Sequence, residues 1–576
     1  MKRRSFLTAT ATAPLATPAL AHAAEPPSQP TTTNPGIDID FTSVTHPISP
    51  HLFGVVHYPS CDPHDPDIGE HLEVWDQMVK TLGVRFLRAD ARLHEILPLT
   101  VKRPGTGWNN QRDPYVVTGP DGVKRPFTLA GYREDMEHHA RTGRYLTGLS
   151  NPANWNTDRL LRWIRTARDH GFDVMVMTFQ VPEWLGADVD GIDAWGKPRT
   201  SANSAPRDWK IFRDIMGKLY TLVRPYAFAY ELLNEPHGFV FPGNGERPGG
   251  GRYSSIDQFA ADYFYQAIDA MYAAERALTG RPDARPAMLL GGGGDDQWSP
   301  TYGVLGEILS PERAEQARRI DFLSIHNYSW RPVNPAEADG RVDGEPSGTM
   351  RALRRFVTQR AGRDIPLYLN EWNLSPGNPV PALPQVRARE GVPYHARTFL
   401  DALHERVNGM AYYTFYPGDV PMDDYQASMG WIEKGHGGYL WNNGSPQLRP
   451  FAQVWNLLSH RLAMGSGTGH AVATQISGLP AGIDSAQGVL APDGTPEAIV
   501  LNWSSAKASI PVRLSGLKLK DGEAILEVSI IDGTVHGAVG DIPAPTRHRV
   551  AIADGKIQSE LTIPAAAVAG VRILKP

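Results

Sequence analysis

Eight short apolar runs, separated by longer amphipathic ones, constrain this chain more than any other feature. The runs are residues 51–58 (HLFGVVHY), 84–90 (VRFLRAD), 173–181 (DVMVMTFQV) and 227–235 (AFAYELLNE), then 287–292 (AMLLGG), 321–328 (DFLSIHNY), 366–372 (PLYLNEW) and 409–416 (GMAYYTFY). Each is short, mostly apolar and bounded by loop residues, as strands buried on both faces must be. Residues 155–170, 209–223, 255–278, 350–360, 394–406 and 450–462 carry apolar side chains at helical spacing. Gly171 follows the first of these as a C-cap. Strand and helix in alternation predict an α/β fold, a (β/α)₈ TIM barrel over residues 51–463.

The stretches 92–154, 188–205, 238–252 and 329–347 are insertions, and all follow strands. They therefore belong on the C-terminal face of the barrel, where such barrels carry their chemistry. From residue 464 to 576 the pattern changes. Residues 498–503, 509–514, 524–531, 548–552 and 568–574 read as strands with Gly/Asp turns, predicting a C-terminal antiparallel β-sandwich-like domain. Residues 36–50 alternate in part and can add a strand to it.

The N-terminus, Lys2-Arg3-Arg4-Ser5-Phe6-Leu7, leads into a mildly apolar stretch and then Ala21-His22-Ala23. Residues 1–23 read as a signal peptide of twin-arginine type, implying export to the periplasm or beyond. Residues 24–35 read as a flexible leader. The chain holds one cysteine, Cys61, so an intramolecular disulfide is excluded. Its net charge of −5 is unlike that of a basic nucleic-acid-binding chain and fits a neutral or weakly charged substrate better.

Two carboxylates stand out. Glu235 closes the fourth run in Asn234-Glu235-Pro236, and Glu371 closes the seventh in Asn370-Glu371-Trp372. A carboxylate ending an apolar strand is costly unless it is paired or functional. Two of them on different strands of one barrel match what hydrolysis of a glycoside with retention requires, a pair roughly 5–5.5 Å apart. His326 and Tyr328 share one strand parity and so one side. Aromatic residues in the loops suit the apolar faces of sugar rings; they are Trp155, Trp195, Trp298, Trp330, Trp372, Trp431 and Trp441, with Trp372 the foremost.

At these residues the chain resembles clan A of the retaining glycoside hydrolases, nearest to family 39, with families 51, 5 and 30 behind it. The resemblance rests on Asn234-Glu235-Pro236, Glu371, His326-Asn327-Tyr328, the second-strand segment Gly83 to Arg88, the Pro182-Glu183-Trp184-Leu185 turn, and the entry His46 to Gly54. It implies Glu235 as acid/base and Glu371 as nucleophile. It implies Asn234, His326, Tyr328, Arg88 and Trp184 as substrate-binding or site residues; Trp372, from the loop aromatics, and His57 are further substrate-binding candidates. Arg88 is either near the nucleophile or an ion-pair partner of Asp90, and His326 is either in the site or a rim histidine. The chain departs from family 39 at Asp90, where many relatives carry His, and in the eighth strand, which lacks the frequent Trp.

No cofactor is expected. The first strand has no His-x-His, no His-Glu-x-x-His occurs, and Gly291-Gly292-Gly293-Gly294 lacks the spacing of a dinucleotide loop. The partner expected is a carbohydrate, with xylosides and arabinosides first, and no nucleic acid and no membrane span. A transglycosylase and a non-catalytic carbohydrate-binding barrel are the alternatives.

Overall fold

A computed structural model describes residues 34–57, 80, 82–97, 116–190, 201–295, 303–328, 346–373, 391–413, 451–462, 464, 469–534 and 542–576. The first strand, β1 (Gly36–Pro47), lies outside the barrel. Eight strands then close on themselves: β2 (Gly54–His57), β3 (Phe86–Asp90), β6 (Asp173–Thr178), β7 (Ala229–Leu232), β8 (Leu289–Asp295), β9 (Phe322–Tyr328), β10 (Leu367–Asn373) and β11 (Gly409–Tyr412). All neighbours in the ring are parallel. The eight runs of the sequence are these eight strands, and the fold is a (β/α)₈ barrel. The insertion after β3 carries a small hairpin, β4 (Val116–Thr118) with β5 (Lys124–Pro126), and the helix Leu129–Thr142.

The surrounding helices start and stop where their end residues dictate. Asp208 accepts hydrogen bonds from the N–H groups of Lys210 and Ile211 and opens Trp209–Val223. That helix buries Ile211, Phe212, Ile215, Met216, Leu219 and Tyr220 along one face. Ser255 opens Ile256–Thr279 in the same way through Gln258, and Gly280, with φ +66°, closes it. The last amphipathic stretch becomes the short helix Ala452–Asn456, continued as a π-helical turn, Leu457–Arg461. Among the described residues no helix is long and apolar enough to cross a membrane.

The C-terminal domain comprises β12 (His470–Ser477), β13 (Ser485–Leu490), β14 (Pro496–Asn502), β15 (Ala508–Ser515), β16 (Gly522–Ile531), β17 (Thr546–Ile552), β18 (Ile557–Ile563) and β19 (Ala567–Leu574). With β1 they form one nine-stranded sheet in the order β17-β16-β19-β14-β13-β12-β1-β15-β18. A separate apolar core, including Ile37, Ile39, Val500, Ile510 and Val571, fills it. Every pairing is antiparallel except β1 with β15. β12, β13 and β18 are strands that the sequence pattern did not announce. HAVATQIS, SAQGVL and IQSELTI are too polar to stand out as apolar runs.

The domain is anchored to the last barrel helices. Gly570 of β19 lies against Leu457, whose side-chain carbons would stand 2.9 Å from any Cβ placed there. Arg461 donates to Glu527 and Ser529 at 3.2 Å each, and Arg397 to Asp484 at 2.9 Å.

Candidate active site

The lower lumen of the barrel is hydrocarbon: Val56, Phe86, Met175, Ala229, Phe322, Tyr368 and Ala411 form one buried cluster. Two residues further along several strands the lumen-facing positions become ionic or polar. Because side chains alternate along a strand, Phe86 is followed on the same side by Arg88, Ala229 by Glu231, and Phe322 by Ser324 and then His326.

Arg88 is at the centre. It is buried to 1 % exposure, and its fork is divided among three partners. Nε donates to Glu231 at 2.5 Å, Nη1 to Glu371 at 2.6 Å and Nη2 to Oδ1 of Asn234 at 2.8 Å. A buried guanidinium is tolerable only when its charge and donors are met in this way. Burial works against its charge, but Glu231 and Glu371 outweigh burial and hold its pKa above the ordinary value.

The backbone at the end of β7 turns Asn234 and Glu235 into the lumen by leaving the strand conformation. Leu233 and Glu235 both have positive φ, +75° and +41°. Non-glycine residues rarely adopt this region, and such strain clusters at functional sites. It is held by hydrogen bonds from Leu233 N–H to Thr178 C=O, 2.9 Å, and from Glu235 N–H to Gly294 C=O, 3.0 Å. The Gly291–Gly294 run gives the turn room. A Cβ on Gly292 would lie 2.4 Å from the carbonyl oxygen of Leu232, and one on Gly294 2.6 Å from that of Leu233.

A second irregularity sets Glu371. The pairing of β10 with β9 runs Leu369 to Ile325 and then Glu371 to His326, so one residue, Asn370, is extra. This bulge lets two consecutive side chains face inward. Asn370 reaches Met175, with Nδ2 3.4 Å from Sδ, and Glu371 reaches Arg88.

His326, fully buried, completes the cluster. Its Nδ1–H donates to Glu235 at 2.8 Å and lies 3.5 Å from Oε2 of Glu371. Burial opposes charge on the ring, but Glu371 and Glu235 together prevail, and its pKa is raised. One oxygen of each glutamate and one histidine nitrogen all lie within 4.8 Å of one another. That spacing alone would also admit a cation, but Arg88 already supplies the positive charge at Glu371, and we assign no metal here.

Glu235, Glu371, Asn234, Arg88 and His326 are thus brought together. Arg88 takes Glu231, Glu371 and Asn234 as its hydrogen-bonded partners, while Asp90 accepts from Arg92 at 2.7 Å. Trp372 requires a correction. The bulge sends it outward, away from the lumen, into the layer between barrel and helices. There it stacks on Trp455 with centroids 6.1 Å apart and packs against Tyr394, His395, Phe399 and Tyr412. It is fully buried and offers no face to a sugar. Trp184 likewise packs, stacked on Tyr132 at 5.3 Å beneath the insertion after β3, and Trp155 is in the same core. The side chains of His57 and Tyr328, and residues Cys61, Trp195, Trp298, Trp330, Trp431 and Trp441, lie outside the described residues.

Glu231, Ser324 and Asn370 were not singled out from the sequence. Ser324 Oγ donates to Glu231 at 2.8 Å and accepts from Gly294 N–H at 3.0 Å. The signal for Glu231 was present as a second carboxylate inside the fourth apolar run, four residues before Glu235.

Comparison with solved structures places this architecture. A glucosidase from Croceicoccus marinus is similar over 94 % of this chain and 99 % of its own, with a TM-score of 0.56 and 14 % identity. The GH39 enzyme from Xanthomonas axonopodis pv. citri covers 95 % of this chain and 98 % of its own, with a TM-score of 0.54 and 16 % identity. The fold is theirs. A monomeric beta-xylosidase from Caulobacter crescentus is similar over 94 % of this chain and 99 % of its own, at 0.55 and 16 %. No family model and no curated protein matches the sequence.

Proposed function

We propose that this protein is a retaining glycoside hydrolase in which Glu235 is the acid/base and Glu371 the nucleophile. The observation that carries the reading is the approach of one oxygen of each carboxylate to within 4.8 Å at the C-terminal ends of β7 and β10. Inverting enzymes need roughly 6.5–9.5 Å between the two carboxyl groups for a water, so the closer pair favours double displacement. The partners separate the roles. Glu371 touches a guanidinium, which favours a carboxylate. Glu235 shares a hydrogen-bonded proton position with His326, which suits a group that gives and takes a proton.

In the first step Glu371 attacks the anomeric carbon while Glu235 protonates the departing oxygen. The bond to the leaving group breaks, and a glycosyl ester forms on Glu371. In the second step Glu235, now a carboxylate, takes a proton from water, and the water oxygen displaces Glu371. Asn234 turns its carbonyl oxygen to Arg88, directing its amide N–H₂ away from that cation and towards the position of a sugar 2-hydroxyl.

Xylosides and arabinosides are the first substrates to try. The structural likeness to a beta-xylosidase and a glucosidase supports pentosides and glucosides alike. The basic, Ala-rich N-terminus supports export.

The test is turnover of aryl α- and β-glycosides by wild type, Glu235→Ala and Glu371→Ala, with azide as an external nucleophile. The reading requires one sugar to be turned over, both variants to fall by about 10²–10⁴-fold, and azide to restore both with opposite product stereochemistry. Full activity in either variant would overturn the assignment. An inert wild type across the panel would favour a binding barrel.

A further inference from the structure

Glu231 is a lumen carboxylate with no exposed surface among the described residues. It is fully buried, beneath Arg88, and has Arg88 Nε at 2.5 Å and Ser324 Oγ at 2.8 Å. Ser324 in turn accepts from Gly294 N–H, and the Gly294 carbonyl holds the N–H of Glu235. The same carboxylate therefore touches the cation of the nucleophile on one side and leads to the backbone of the acid/base on the other.

We infer that Glu231 is a positioning residue that divides the Arg88 charge, so that Glu371 is held in place without being locked into a closed ion pair. The inference rests on the glycosidase reading of the site. Its physical basis is the geometry of the fork. A guanidinium and a lone buried carboxylate tend to join by two parallel hydrogen bonds. Such a pair would draw both oxygens of Glu371 into the guanidinium and lower its power to attack. Here Nε is spent on Glu231 and Nη2 on Asn234, so Arg88 reaches Glu371 through one N–H and one oxygen, Oε1. Among the described residues, the charged groups that face Glu371 are Arg88 from β3, His326 from β9 and Glu235 from the end of β7. Glu231 and Asp90 stand next to Arg88.

Glu231→Gln tests this while preserving shape, since its carbonyl oxygen can still accept from Arg88 and its amide can donate to Ser324. With the negative charge gone, the full Arg88 charge falls on Glu371. The acid limb of the kcat/KM profile should then move to lower pH by about half a unit or more. kcat should fall about tenfold, with KM changed much less. The loss should depend on Glu371. In a Glu371→Ala background rescued by azide, adding Glu231→Gln should cost less than about a third of what it costs in wild type. An unmoved acid limb, or an equal loss in the azide-rescued background, would overturn the inference and make Glu231 a structural residue only. If the Gln variant does not fold, Ser324→Ala reads the same link. It strips a donor from Glu231, strengthens the negative potential at Arg88, and should move the acid limb to higher pH; an unmoved limb again overturns the inference. Failure of azide to rescue Glu371→Ala itself would instead bring down the glycosidase reading, and this inference with it.

Discussion

The lower and upper halves of the barrel lumen are made by the same strands, yet they solve opposite problems. Below, Phe86, Met175, Ala229, Phe322 and Tyr368 exclude water and fill space. Above, Arg88, Glu231, Glu371 and His326 are equally buried but carry charge. On β3 the change takes two residues, from Phe86 to Arg88. The lower half gains stability from apolar burial and from dense packing, terms that tolerate apolar swaps of equal volume. The upper half pays desolvation and recovers it only while every partner is present. Stability and chemistry are therefore stacked along one axis, and each should respond to different changes.

The largest effect is expected at Arg88. Arg88→Met removes the cation and leaves Glu231 and Glu371 buried together. Activity should fall by about 10²–10³-fold, and stability by about 3–5 kcal/mol, measured by steady-state kinetics and denaturant unfolding. If activity falls but stability does not, the upper half is less dependent on its partners than the burial implies. Phe322→Ala, one layer lower, should cost about 3–5 kcal/mol while the folded fraction keeps kcat within about threefold. A far greater loss of kcat would show that the two halves are not separable. Trp372→Phe should cost about 1–3 kcal/mol and leave KM for the cleaved glycoside within about twofold; a tenfold rise in KM would restore the residue to the sugar site.

The smallest effect tests buried charge outside the barrel. Glu497 of β14 is pushed up to about 8, chiefly by burial, although Arg572 at 3.0 Å pulls the other way. Burial prevails because the second oxygen of Glu497 is buried without a hydrogen bond. A carboxyl whose pKa is raised by folding binds its proton more tightly in the folded state. Its contribution is complete below the ordinary value of 4.5 and is lost as pH rises through about 8. The melting temperature of wild type should therefore decline across that window more steeply than that of Glu497→Gln. Parallel profiles would mean that Arg572 compensates the charge as fully as Arg88 does in the lumen.

The residues that could be read from the sequence are those that break a local rule visibly. Glu235 and Glu371 interrupt apolar runs at their ends, where a carboxylate draws notice. Glu231 lies inside such a run, and the strand pattern alone treats it as part of the strand body. The placement of Trp372 turned on the extra residue, Asn370, in β10. A bulge shifts parity by one and leaves no mark in composition, so a side chain expected beside the nucleophile's pocket points to the opposite face. Gly291–Gly294 lacks the spacing of a dinucleotide loop, and its purpose became clear only from the carbonyls of Leu232 and Leu233 pressed against it. The eight strands and their helices were legible because their periodicity is local. β12, β13 and β18 were not, because HAVATQIS, SAQGVL and IQSELTI carry too many polar residues to stand out as apolar runs.

The position of β1 bears on how such a chain comes to be folded at all. This strand precedes the barrel, yet its seat is inside the nine-stranded sheet, between β12 and β15, and its Asp38 binds an arginine 475 residues further on. During synthesis from the N-terminus, β1 must wait, unpaired, while the whole barrel emerges. The sheet, when it arrives, offers a slot one strand wide whose edges are open until β1 enters. The cost of bringing such distant segments together comes before any reward from their pairing. Assembly therefore joins a segment that precedes the barrel to two strands that follow it. A chain whose β1 stayed out of its seat would expose the facing edges of β12 and β15 to any other strand that could fit.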